Sequence, residues 1–130
     1  MNERSPAFIR SHHEWHVYRM AFDTATTIFE CSRAFPVEER YSLTDQVRRS
    51  SRSVCANLAE AWRRRRYRGT FLLRLNDAEA EAAETQTWLH FAVNAGYLEV
   101  EDARLLFLEY DRIIGAIVTV TRNPELWLLK

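Results

Sequence analysis

Only six residues of this 130-residue chain are glycine or proline, and five of them stand where a helical bundle needs its turns. Pro6 precedes the patterned sequence, Pro36, Gly69 and Gly96 separate four segments, and Pro124 follows the last; Gly115 alone falls inside a segment. Both residue types interrupt helices, proline by removing a donor and clashing with the preceding turn, glycine through its backbone entropy. Long stretches free of either argue for helices and against a turn-rich β-sandwich. An apolar share of 47% with 12% aromatics argues against disorder and collagen-like repeats. The length suits one domain with a core of its own.

The apolar positions recur at helical spacing. In the first segment, about Glu14 to Ala34, the stripe is Tyr18, Ala21, Phe22, Ala25, Ile28, Phe29 and Ser32, and Phe35-Pro36 ends it because a residue before proline leaves the α region. The second segment starts between Val37 and Thr44 and runs to about Arg66, with Leu43, Val47, Ser51, Val54, Leu58 and Ala61 or Trp62 facing inward. The third, about Thr70 to Ala95, buries Phe71, Leu72, Leu75, Ala78, Ala82, Leu89, Ala92 and Val93, and Gly96 ends it. The fourth begins near Val100 to Asp102 with acids suited to a helix N-terminus and stops before Pro124. Its residues Leu105 to Leu108, Ile113, Ile114, Ile117, Val118 and Val120 are apolar over more than one face, which predicts a second contact surface with Gly115 as a point of close approach.

Short connections predict an all-α, up-down-up-down antiparallel four-helix bundle in a single domain. Residues 1–13 are expected to form a flexible N-terminal segment, 14–123 the bundle and 124–130 an apolar tail. Beside the core stripe of the second helix lies a polar one, Gln46, Arg49, Ser53, Asn57 and Glu60. Antiparallel pairing places Arg52 and Ser53 level with Glu84, and Asn57 level with Glu79 or Ala80. A half-buried hydrogen-bonding seam between helices two and three is therefore expected, with Arg52 reaching Glu84.

The formal charge of zero is the sum of opposed blocks. Nine arginines and one acid lie between Arg48 and Arg74, and nine acids and one base between Asp77 and Asp111. Either the blocks neutralise each other within the chain, or some arginines stay free for solvent, a second copy or phosphate. Four successive arginines, Arg63 to Arg66, wrap around a helix and cannot all face one carboxylate stripe.

The polar N-terminus shows no signal peptide, and no run of about 18 uncharged apolar residues exists to span a membrane, so a cytoplasmic location is expected. Cys31 and Cys55 form no Cys-x-x-Cys pair and read as small core residues. His12, His13 and His16 do not form His-Glu-x-x-His; a shared metal there would need a third ligand that the sequence does not indicate. No Glu-x-x-His pair, phosphate loop, nucleophile elbow or dinucleotide fingerprint occurs. The expectation is no enzyme, no catalytic residue, no metal, no cofactor and no small-molecule substrate.

The stretch Pro36 to Gln46, continuing through Arg48-Arg49-Ser50-Ser51-Arg52-Ser53-Val54 and Asn57-Leu58-Ala59-Glu60, resembles the bacterial four-helix bundle family of 23S ribosomal RNA intervening-sequence proteins, the S23 family. Gln46, Arg49, Ser53, Asn57, Glu60, Ala78, Glu84 and Gly96-Tyr97-Leu98 match its pattern, and the resemblance covers roughly residues 15 to 120. Two positions depart: Glu81 stands where a Ser is common, and Ala61 replaces a Gly. Ala61 removes the tight exit from helix two and would let that helix run on through the arginines. The resemblance implies a cytosolic bacterial protein forming a closed ring, with homopentamers known in the family. Some members are encoded within ribosomal RNA genes, and a related branch accompanies reverse transcriptases and binds nucleic acid.

The leading expectation is thus a non-enzymatic homo-oligomeric scaffold or adaptor, a pentamer, with RNA or DNA bound at Arg63, Arg64, Arg65, Arg66 and Arg68 through phosphates. Phe107, Leu108, Gly115, Val118, Leu126, Trp127 and Leu128 are its candidate interface between copies. The alternatives are a module docking another protein, and a metal-dependent enzyme at His12, His13 and His16.

Overall fold

The structure, a computed structural model, describes residues 9–130. Four helices are present: α1 (His16–Ser32), α2 (Leu43–Arg63), α3 (Arg68–Asn94) and α4 (Val100–Arg122). Single 3-10 turns at His12–Glu14, Val37–Glu39 and Pro124–Leu126 lie before α1, between α1 and α2, and after α4. The described residues contain no strand. Each helix packs on the next and α1 also packs on α4, so the four close into the antiparallel bundle that the short connections dictate. The most extensive contact is between α2 and α3.

Alternating steps of four and three residues build the core. Val17, Ala21, Thr24 and Ile28 of α1 face Val47, Val54 and Leu58 of α2, Phe71, Leu75, Ala82 and Leu89 of α3, and Leu106, Tyr110, Ile113 and Ile117 of α4. Burying each large apolar side chain contributes about 1.5–3 kcal/mol. The stripes of α2 and α3 follow the sequence pattern, but that of α1 is rotated. Tyr18, Phe22 and Phe29, read as core from their spacing, lie half-buried or exposed, and Val17 and Thr24 take the inward positions. Both sides of α1 are apolar, so spacing alone did not distinguish them.

Local chemistry fixes the turns. The Glu39 carboxylate accepts from the Ser42 hydroxyl and from the Leu43 amide at the start of α2, and the Tyr97 hydroxyl donates to its other oxygen at 3.0 Å. A carboxylate at a helix N-terminus satisfies amides that have no partner within the helix. At the end of α3, Gly96 adopts φ 79°, its amide donates to Val93 and the Tyr97 amide donates to Ala92. That pair of bonds is the Schellman arrangement, which requires a left-handed residue that glycine supplies without steric cost.

The expected run of α2 through the arginines does not occur: the helix ends at Arg63 and residues 64–66 form a turn. The Arg65 guanidinium lies over the Trp62 ring, 3.5 Å from its centroid, and its Nε donates to the Trp62 carbonyl. The Arg65 carbonyl accepts the Leu129 amide at 2.9 Å, so the C-terminal residues pin the turn. Of the expected flexible segment, residues 1–8 lie outside the described residues; Ile9 is buried. The apolar tail folds back, and Trp127 packs 5.5 Å from Trp15 and 6.3 Å from Trp62 between ring centroids.

Candidate nucleic-acid interface

The antiparallel order brings the start of α1, the end of α2, the start of α3 and the end of α4 to one end of the bundle. Arg63, Arg64, Arg66 and Arg68 are exposed there, Arg65 is half-buried, and Arg10 and Arg122 are also exposed. Arg68 pairs with Glu125 at 3.1 Å, on a surface where such a pair contributes little. Arg63, Arg64 and Arg66 make no ion pair among the described residues. The opposite end carries Glu38, Glu39, Glu99, Glu101 and Asp102 together with Arg33, Arg40 and Arg104, so the excess of positive charge lies at the arginine end. Neutralisation of the arginine run by the acids of α3 and α4 is not what the fold provides. Most ion pairs, such as Arg104 with Glu101 and Arg49 with Asp45, join residues one turn apart on the same helix.

Neighbouring positive charge acts on two groups at this end. Partial burial, then His13 and Arg63, holds His12 below its ordinary value. Burial, then Arg63, lowers Arg65. An anion at this end would relieve the repulsion that both shifts register.

The polar residues of α2 fall into place differently from the expected seam. The register is offset by one to three residues from the expected one, with Ser50 opposite Thr85 and Glu60 opposite Arg74. Arg52, however, does not reach Glu84: it turns toward α1, with its guanidinium 5.7 Å from the Phe29 centroid, and Glu84 accepts from Trp88. Asn57 donates to the Ser53 carbonyl and hydroxyl within its own helix, Arg49 faces Asp45 at 4.0 Å, and Gln46 is half-buried. The one cross-helix ion pair there joins Glu60 to Arg74 at 4.0 Å, with charges reversed from the expected pairing. A buried polar contact between these helices joins Ser50 to Thr85, and Ser50 belongs to neither the apolar nor the polar stripe of α2.

Among the candidate interface residues, Trp127 is a correction: it is buried within its own chain by packing at a tilt on Trp15 and edge-on against Trp62. Leu108, Gly115 and Leu126 are exposed, and Phe107, Val118 and Leu128 are half-buried. A Cβ on Gly115 would meet nothing within 4 Å, so no helix of this chain makes the close approach. Two grooves of about 680 and 520 Å³ run between α1 and α4, the second with Trp15 and Trp127 in its wall.

The histidines diverge. His12 and His13 contact Tyr18 edge-on, whereas His16 lines both α1/α4 grooves, and no group of three metal-ligating side chains converges among the described residues. Cys31 and Cys55 are free thiols; burial raises both, Cys55 to about 11. No helix among the described residues is long and apolar enough to cross a membrane.

A family model for 23S rRNA-intervening sequence proteins matches residues 13–119, which span all of the first three helices and most of α4. The fold is similar to that of a protein with unknown function from the S23 ribosomal protein family of Bacteroides thetaiotaomicron VPI-5482. The TM-score is 0.74 and the identity 24%, covering 82% of this chain and 95% of that one. No curated protein matches the chain. Bundle, helix order and the match along most of the sequence agree, and the chain belongs to the 23S rRNA-intervening sequence protein family.

Proposed function

We propose that this chain is a non-enzymatic cytoplasmic scaffold that assembles with copies of itself, as a pentamer, and binds nucleic acid through Arg63, Arg64, Arg66 and Arg68, with Arg65 shaping the turn. The observation that carries the reading is three exposed arginines, Arg63 at the end of α2 and Arg64 and Arg66 on the pinned turn after it, with no carboxylate partner among the described residues. Guanidinium forks suit phosphate oxygens, and contacts of this kind fix position without reading sequence. Assembly is supported by the apolar excess of α4, where Leu105 and Leu108 stay exposed beside the single buried stripe.

Two measurements test it. Oligonucleotide binding should fall steeply with added salt and weaken when Arg63, Arg64 and Arg66 become Glu; no binding at low salt overturns the nucleic-acid part. Light scattering at micromolar concentration should show a multimer, and a monomer overturns the assembly. A second reading, docking of a protein segment, is favoured by the groove between α1 and α4. An apolar helix seated there would cover Met20, Ala116 and Val120 together with the two tryptophans.

A further inference from the structure

The aromatic row that the core leaves outside lies on the side of α1 that faces α2. Tyr18 and Phe22 stack at 6.0 Å with 28° between planes, and His12 meets Tyr18 at 4.9 Å. Two turns beyond Phe22, about 10 Å along the helix, stands Phe29. Its ring is approached by three guanidiniums, Arg48 at 4.8 Å, Arg33 at 5.6 Å and Arg52 at 5.7 Å from the centroid. Between Phe22 and Phe29 opens a groove of about 400 Å³, walled by these rings, Tyr18, Arg52 and Cys55, and no carboxylate lines it. Phe22 is 53% exposed although it sits in the middle of a helix.

We infer that this groove is a stacking platform for single-stranded nucleic acid, with a base lying against the exposed Phe22 ring and the backbone following Arg52, which packs on Phe29. An exposed ring such as Phe22 takes any base, because every base has a π-face, and a guanidinium beside it donates to phosphate oxygens. The charge of the groove favours this occupant over an apolar protein segment, which would bury Arg52 without a counter-ion. The row also leads to the arginine turn: the His12 ring packs on Tyr18, and Arg63 is close enough to lower His12. A strand entering at the turn thus has a continuous path along α1. The inference rests on the nucleic-acid reading above, and adds that the strand is single and is held by stacking.

The test is fluorescence anisotropy with a labelled oligothymidylate and with a duplex of the same length, on the full chain. Phe22→Ala should weaken single-strand binding about five- to a hundredfold and leave duplex binding unchanged. Arg52→Gln should weaken it and reduce the salt slope by about 0.7. A photo-crosslink from an iodouracil-containing oligonucleotide should map to Tyr18, Phe22 or Phe29. Single-strand affinity within twofold of the parent for both variants, equal loss on duplex, or dissociation of the multimer by Phe22→Ala overturns the groove. If the arginine-turn variant alone abolishes binding, the groove falls and the function stands. If the groove variants alone weaken it, the arginine turn falls and the groove stands.

Discussion

Thr85 Oγ1 and Ser50 Oγ share a hydrogen bond of 2.9 Å, with both residues buried between α2 and α3, and Thr85 Oγ1 also lies 2.8 Å from the Glu81 carbonyl. This is the polar point in the most extensively packed pair of helices, and it sets their register. Ser50→Ala leaves the Thr85 hydroxyl bonded to the Glu81 carbonyl, whereas Thr85→Val leaves the buried Ser50 hydroxyl only a long 3.4 Å contact with the Val47 carbonyl. Thr85→Val should destabilise by about 1–3 kcal/mol in urea unfolding, Ser50→Ala by less, and the double variant by less than their sum.

Tyr110 presents the opposite case. Its hydroxyl is buried and has no hydrogen-bond partner among the described residues, and burial pushes its pKa far up. Tyr110→Phe removes an unpaired polar atom while keeping the ring, so the expected change lies between zero and a gain of about 1 kcal/mol. A loss beyond that in thermal unfolding would show that the hydroxyl is paired in solution.

The three tryptophans Trp15, Trp62 and Trp127 tie both ends of the described chain to the last turn of α2. Trp127→Ala should cost about 3–5 kcal/mol, a core-sized effect from a residue four positions from the C-terminus. Denaturant midpoints check it, and a change below about 1 kcal/mol would mean the tail is detached in solution.

The glycines separate two roles. Gly96→Ala puts a Cβ on a left-handed residue and should destabilise by about 1–2 kcal/mol even though space is open. Gly115 is helical and exposed with open space, so Gly115→Ala should stabilise the isolated fold by up to about 1 kcal/mol. If the same variant weakens the multimer in light scattering, a second copy uses that gap.

Acid should destabilise the fold in two stages. His12 is held below its ordinary 6.5 by burial, then His13 and Arg63, so the unfolded chain binds this proton more readily. Its contribution is complete above about 6.5 and is lost as the pH falls toward the lowered value. Glu39 is held below its ordinary range by Ser42, then Tyr97 and the Leu43 amide; its contribution is present above the unfolded pKa and lost as the pH falls through the folded one. Unfolding midpoints followed downward from neutral pH should show both, with His12→Gln removing the first stage and Tyr97→Phe shrinking the second.

Helix number and direction were legible in the sequence because they depend on local chemistry. Pro36, Gly96 and Pro124 stand between or after helices, whereas Gly69 falls in the first turn of α3 and residues 64–67 make the turn before it, so register was legible only to within a few residues. The Gly96-Tyr97-Leu98 turn was legible for the same reason. The arginine run could be read as a cluster, but not the separate positions of its members: the Arg65 side chain is held on Trp62, and Arg68 lies beside Glu125 in an exposed pair. Nothing in the local sequence indicates that residues beyond Pro124 return to that turn.

The sequence by itself determined an all-helical, four-segment chain with its charge in opposed blocks, since spacing, breakers and charge order are properties of the chain alone. Only the tertiary structure decided how each helix is rotated about its axis. α1 is apolar on two sides, and packing against α2 and α4 chose Val17 and Thr24 for the core and left Tyr18, Phe22 and Phe29 outside beside Arg48 and Arg52. That rotation dissolved the expected Arg52 to Glu84 seam and opened the aromatic groove. Its cause is physical: the face a helix buries is the one that fills the shared interior at native density, and that volume is a property of all four helices together.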